Sequence, residues 1–330
     1  MVASLSIKVG IIGCGGIANR HMSSIAKIPE AKMVAFCDID YPRAKASADR
    51  YGGRAYGDYR DMLSNEKLDA IFVCVPPFAR GFEVEFVEKG INLFVEKPVA
   101  LNLQVASAIE KAIAKAGIIN SVGYMWRYYD TTDRAKEAIE GNGSMGFLEG
   151  HYVDPFWFPS GHWWLRKEKG GGQVVEQATH VFDLARYFAG DVERVYTEMD
   201  RRIVTWVPEM NVEDIAITTL RFKNGAIGVI VNTCASKRTL SYTELRIFSK
   251  DVVVEHGCHR GYVKLYTDSE VREFRPSLDP YFEEAKVFLN AIAKGDESGI
   301  RSPFKDGLKT LQVTLAANEA ALEKKVISLP

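Results

Sequence analysis

Five short apolar runs, separated by helical patterns, dominate the first 125 residues: 8–12, 33–38, 69–75, 91–95 and 118–124. A run that is apolar at nearly every position suits a strand covered on both faces, as in a parallel sheet. The segments between them read as helices at 17–28, 42–51, 82–89 and 101–116. Pro42 stands in the first turn of the second helix, Gly52-Gly53 end it, and Gly117 ends the fourth. Alternation of this kind specifies an α/β domain with a doubly wound parallel sheet.

Beyond residue 125 the texture changes. Strand-like stretches follow one another at 215–222, 226–233, 242–248 and 262–267, often with period-2 alternation. Lys223-Asn224-Gly225 is a hairpin signal between the first two. Residues 304–325 are helical again. The expected organisation is therefore 1–125 as a dinucleotide-binding domain and 126–330 as an α+β substrate and oligomerisation domain with a mostly antiparallel sheet. The terminal helix is able to pack back on the first domain. The chain has 330 residues, enough for two cores. A net charge of −1 with no basic run argues against nucleic acid as a partner. No apolar stretch reaches the length of a membrane span, and the first residues lack a secretory pattern. The five cysteines form an odd set without a CxxC spacing. That is cysteine used as a small hydrophobe in a reducing compartment, so a cytoplasmic protein is expected.

The first strand leads into Gly10-Ile-Ile-Gly13-Cys-Gly15-Gly16-Ile17-Ala18 at a helix start. Gly13 permits the tight turn, Gly15 and Gly16 let a pyrophosphate approach the backbone, and Ala18 lets helix and strand pack closely. The N-terminus of that helix, around Ile17, offers N–H groups and a positive dipole to phosphates. Asp38 ends the second strand 25 residues after Gly13. A carboxylate there accepts from ribose hydroxyls and repels a 2′-phosphate, which favours NAD over NADP. Arg43 leaves some room for NADP. Pro76 closes one further strand, and Glu96, Lys97 and Pro98 close another. Ligands of open α/β sheets sit beyond the carboxyl ends of strands, so Pro76, Glu96 and Lys97 are expected at the cofactor. Lys97 is a candidate for the chemistry.

Gly170-Gly171-Gly172 run into a pattern that predicts one helix over 174–188. Glu176, His180, Asp183 and Tyr187 fall on one stripe of it, and Val174, Ala178, Val181, Ala185 and Phe188 on the other side. Such a stripe is either a solvated face or a functional one. The glycines remove side chains where the helix begins, so another surface or a ligand can come close. Glu176 and His180 lack a third ligand at useful spacing, so no metal is expected. His256, Cys258 and His259 read as structural. Residues 151–164 hold six aromatics, which stack on a sugar or fill a core or subunit interface.

Together these pieces resemble the family of glucose–fructose oxidoreductase, inositol 2-dehydrogenase and MocA-type proteins. The matching stretches are GIIGCGGIANRH at 10–21, CD at 37–38, FVEKPVALN at 94–102, VGYMWRY at 122–128, GGG…EQATHVFDLARYFAG at 170–190, and the tail at 306–330. The resemblance implies a Rossmann domain followed by an open antiparallel sheet domain, with the active site in the cleft between them. It implies a nicotinamide dinucleotide and a sugar, polyol or related substrate. It implies that Lys97 and His180 are catalytic. Glu176 stands where the family usually has Asp and would orient substrate or tune His180. Arg127 and the region of Trp164 match substrate-side positions, and Asp183 joins them as a substrate contact. The chain departs from the family at Pro76-Pro77-Phe78-Ala79-Arg80, where Pro-Asn-x-x-His is common; Arg80 is left without a role. The expected activity is hydride transfer at a carbinol or carbonyl carbon. The alternatives are a glycoside hydrolase that uses NAD transiently and a non-catalytic dinucleotide-binding sensor. An open sheet face needs a cover, so a homodimer or homotetramer is expected.

Overall fold

The computed structural model describes residues 6–141 and 143–330. The chain divides into two compact units, 1–128 with 279–306, and 129–278 with 307–330.

The first unit holds six strands: β1 (Ile7–Ile12), β2 (Ala31–Cys37), β3 (Arg54–Tyr56), β4 (Ala70–Val73), β5 (Asn92–Val95) and β6 (Asn120–Val122). They form one parallel sheet in the order β3-β2-β1-β4-β5-β6. Strand order reverses at β1, so the glycine turn after β1 lies at the topological switch point. The helices are α1 (Gly16–Ile25), α2 (Tyr41–Tyr51), α3 (Tyr59–Asn65), α4 (Glu83–Val87) and α5 (Leu103–Ala116). Asn102 caps α5 by accepting from Val105 N, and Gly117 closes it in the left-handed conformation. The five apolar runs are thus strands: β1 and β2 begin one and two residues earlier than expected, and β4, β5 and β6 are shorter by one to four residues.

The single cut expected at 125/126 does not describe how contacts divide the chain. The helix Pro280–Lys294 belongs to the first unit, and its Ala285, Phe288 and Leu289 join the core formed by Ile11, Met22, Phe72 and Phe94. Its local signals are strong: Asp279 accepts from Tyr281 N, Pro280 is the first helical residue, and Gly295 adopts φ +65° after the last.

The second unit contains α6 (Asp130–Gly141), β7 (Met145–Pro155), α7 (Lys167–Gly170), α8 (Gln173–Glu176), α9 (Thr179–Ala189), β8 (Val192–Asp200), β9 (Ile215–Phe222), β10 (Ile227–Ser236), β11 (Tyr242–Ser249), β12 (Val253–Gly257), β13 (Tyr262–Tyr266) and β14 (Val271–Phe274). The helix Pro280–Lys294, α10, then returns to the first unit, and α11 (Phe304–Glu323) and β15 (Ile327–Ser328) complete the chain. Nine strands make one sheet, β14-β13-β12-β11-β7-β10-β9-β8-β15, antiparallel except for the β7–β10 pair. Strand β9 alternates between buried and accessible residues, and the accessible set includes Ile217 at 53% exposure; Ile227 on β10 is 46% exposed. One face of the sheet is therefore core and the other is open. All five cysteines are buried and unpaired, as their apolar surroundings suggest. No helix among the described residues is long and apolar enough to cross a membrane.

Candidate active site

In the first unit, the turn after β1 is shaped by what it must avoid. Gly13 has φ +84°, and a Cβ there would lie 2.8 Å from the backbone C and O of Cys74 at the end of β4. Gly15 and Gly16, by contrast, face open space, where an added Cβ would meet nothing within 4 Å. The N-terminus of α1 has no side-chain cap and no acid in its first turn. Ala18 is fully buried, and half-buried Ile17 packs on the core. The loop is thus open where an anion would meet helical N–H groups, and it fits a pyrophosphate. Asp38 stands beside it, half-buried, accepting from Cys14 N at 2.7 Å and from Asp40 N at 2.9 Å. These residues fit the adenosine half of a dinucleotide. Half-buried Pro76 opens the short 3-10 turn Pro77–Ala79 beyond β4. Arg43 is paired with Asp40 at 3.0 Å.

Lys97 follows β5, half-buried. Glu96, expected at the cofactor, turns inward instead. Its Oε1 meets His21 Nε2 at 2.6 Å inside the unit, and its Oε2 accepts from Lys97 N at 3.1 Å. The reason is strand alternation: Glu96 continues β5 on the side covered by α1, where His21 waits among Phe94, Phe72 and Tyr281. Arg80, the departure without a role, is buried too. Its guanidinium donates to Val73 O at 3.1 Å and Glu96 O at 2.9 Å, joining the carboxyl ends of β4 and β5. Arg127 is spent inside this unit, donating to Arg301 O and Asp306 Oδ2, both at 2.6 Å. Arg127, expected on the substrate side, is 2% exposed and clamps the chain at 301–306.

In the second unit, the single helix expected over 174–188 is two. Ala178 N bonds Gln173 O five residues back, and Phe182 N bonds Ala178 O four back. The extra residue in that turn breaks the helix at Gln177-Ala178. Glu176 consequently ends α8, half-buried, while His180 sits in the first turn of α9 at 8% exposure. The carboxylate and the imidazole thus belong to different helices. The glycines have a specific occupant to admit. Gly172 has φ +97°, and a Cβ there would come 2.6 Å from both carboxylate oxygens of Glu213. That carboxylate accepts from Val174 N and from Lys167 Nζ, each at 3.0 Å. Glu213 therefore caps the start of α8, and it is a surface of the chain itself that the glycines let come close.

Asp183 and Trp164, expected on the substrate side, are both buried in the second unit. Asp183 is 1% exposed and accepts from Thr310 Oγ1 at 3.0 Å, which accepts in turn from Arg186 Nη1 at 2.9 Å. Arg186 continues to Asp191, which Lys309 also reaches. Hydrogen bonding to Lys309, with Arg186 beside it, holds the Asp191 carboxyl below its usual range. The polar stripe of α9 is in this part a seam to α11, because a buried acid needs such partners. Trp164 is fully buried, stacked on Phe158 with ring centroids 4.1 Å apart, in a core with Leu165, Val204, Met210 and Val212. Sequence reasoning missed His162. Burial lowers its pKa and Glu176 pulls it upward, so these two side chains share one field.

The chain matches the model of an oxidoreductase family with an NAD-binding Rossmann fold over residues 7–124, and that of the GFO/IDH/MocA C-terminal domain over 132–250. An uncharacterized protein of Schizosaccharomyces pombe is 30% identical, over 91% of this chain and 81% of its own. Myo-inositol 2-dehydrogenase of Thermotoga maritima is 28% identical over 98% of both chains. Levoglucosan dehydrogenase in complex with NADH has the same fold, with a TM-score of 0.90 over 98% of this chain and 99% of its own at 22% identity. A glycine turn open at a helix N-terminus, an acid at the end of β2 and two matched domain models agree: the chain belongs to the GFO/IDH/MocA family of oxidoreductases and binds NAD through its Rossmann unit.

Proposed function

We propose that the protein oxidises a carbinol, or reduces the corresponding carbonyl, of a sugar, cyclitol or related polyol. The observation that carries this reading is the open glycine turn with Asp38 beside it, in a chain that also holds Lys97 beyond β5 and His180 at the start of α9. Bound NAD supplies the hydride acceptor. His180 is the proposed general base: it takes the proton of the carbinol oxygen, and returns one in the reverse direction. Lys97 donates a hydrogen bond to the same oxygen and stabilises its developing negative charge. Glu176 orients substrate hydroxyls. Relatives named for inositol and levoglucosan support a polyol or sugar as substrate class.

The test is thermal unfolding with NAD, NADH, NADP or no ligand, on protein checked by mass spectrometry for carried-over cofactor. A ligand at 100 times its Kd stabilises the folded state by about 2.7 kcal/mol. The expected result is a clear rise in Tm with NAD or NADH and a smaller one with NADP, because Asp38 repels a 2′-phosphate. Equal shifts with NADP overturn the role of Asp38. A dinucleotide already bound and non-exchanging, with no net NADH formed from any polyol, favours the hydrolase that uses NAD transiently.

We also propose that a second copy of the chain covers the open sheet face. Exposed Ile217 and Ile227 support this, since apolar residues on an uncovered sheet favour association. Light scattering is expected to give two or four times the 36.8 kDa chain mass. A monomer at micromolar concentration overturns it.

A further inference from the structure

A set of buried charges lies directly behind Lys97, all of it within the first unit. Glu96 Oε2 accepts the Lys97 N–H at 3.1 Å. Glu96 Oε1 meets His21 Nε2 at 2.6 Å, and the backbone oxygen of Glu96 accepts from Arg80 Nη2 at 2.9 Å. Thus the residue before Lys97 is gripped at its carbonyl and at both carboxylate oxygens. Gly123 makes room for it: a Cβ there would stand 3.0 Å from the Glu96 carboxyl. The other groups facing this carboxylate are Cys74 at the end of β4 and Glu284 on α10; Asp279 stands at the start of α10 and Glu83 pairs with Arg80 at 3.6 Å.

We propose that Glu96 is a positioning residue that fixes the backbone of Lys97, and that His21 and Arg80 lock it in place. Four observations converge. Glu96 is 5% exposed, and a buried carboxylate persists only with charged or hydrogen-bonded partners. Burial by itself would raise its pKa; the His21 hydrogen bond and the charges of His21, Lys97 and Arg80 outweigh this and hold it below the ordinary value. An ionised Glu96 can only accept, so His21 donates from Nε2. The other imidazole nitrogen faces Glu284 Oε1 at 3.9 Å, beyond hydrogen-bonding distance, and burial among carboxylates raises Glu284 well above the usual range. The carboxylate thus holds the Lys97 N–H while Arg80 holds the carbonyl just before it.

This inference rests on the reading that Lys97 acts in hydride transfer, and the two can fail separately. The test uses the full-length protein and initial rates of NADH formation on a polyol that the wild type oxidises, beside the NAD-dependent rise in Tm. In Glu96→Ala kcat is expected to fall by about tenfold or more with KM and the thermal shift little changed, since a misplacement of about 1 Å can cost about 10²-fold. His21→Leu is expected to act the same way. His21→Gln, which keeps an N–H donor near the Nε2 position, is expected to stay near wild type. A kcat within about twofold of wild type in folded Glu96→Ala overturns the proposal. Should Glu96→Ala not fold, the His21 pair decides: equal kcat values of His21→Leu and His21→Gln overturn it, and separated ones support it. Lys97→Ala that oxidises the polyol at the wild-type rate is the separate failure of the reading that Lys97 acts in hydride transfer.

Discussion

His180→Ala is expected to lower kcat by about 10²–10⁴, the usual loss for a positioned acid/base group, with little change in the NADH-dependent rise in Tm. The two readouts separate because of where the residues lie. The glycine turn, Asp38 and the core beneath them all belong to the first unit, and His180 belongs to the second. Removing the imidazole leaves the backbone hydrogen bonds of α9 in place, among them Val181 N to Ala178 O at 2.8 Å. The measurement is initial rate of NADH formation on a polyol that the wild type oxidises, with myo-inositol as the first probe, beside the thermal shift. Unchanged turnover removes His180 from the role of base. Lost turnover together with a lost thermal shift points to damage beyond the catalytic group.

Glu284→Gln is expected to stabilise the protein, and by more as pH rises. Burial, then the nearby charges of Glu96 and Asp279, raise the Glu284 carboxyl well above 4.5. The folded state therefore holds a proton that the unfolded chain releases above its ordinary value. Wild-type stability falls as pH climbs from about 4.5 toward the raised folded value, at up to about 1.4 kcal/mol per pH unit for one proton. Gln has the shape of the neutral acid and carries no such proton. Urea unfolding at pH 5 and pH 8 checks this: the variant and wild type should differ little at pH 5 and clearly at pH 8. A difference that does not grow with pH shows that Glu284 does not titrate in this window.

The parts of the fold written in local signals were legible. Five apolar runs became strands β1, β2, β4, β5 and β6, and Lys223-Asn224-Gly225 became the turn between β9 and β10. The glycine turn was legible for the same reason, since only glycine tolerates what Gly13 meets. Helix α10 carried equally plain caps at Asp279, Pro280 and Gly295, yet went unread among strand-like neighbours. The break between α8 and α9 had no local mark, because neither Gln177 nor Ala178 is a breaker. The candidate site was legible as residue types but not as partners. Asp183, Arg127 and Trp164 look equally fit for a ligand or for burial. Their partners, Thr310, Asp306 and the cluster around Val204 and Met210, are chosen by tertiary structure far away in sequence. The partners of Glu96 and Arg80 are set by tertiary structure in the same way.

The position of α10 bears on how the chain becomes a protein. The core of the first unit closes only when Ala285, Phe288 and Leu289 reach Phe72 and Phe94. On the ribosome those residues emerge after nearly the whole second unit has been synthesised, a wait on the order of ten seconds or more at roughly 5–20 residues per second. Through that interval the Rossmann strands exist with an apolar face uncovered. Domain-by-domain folding in order of synthesis is therefore closed to this chain. Neither unit is complete until the end of the chain arrives, the first with 279–306 and the second with 307–330, and residues 1–128 expressed alone would carry the exposed surface of a nascent chain rather than that of a domain.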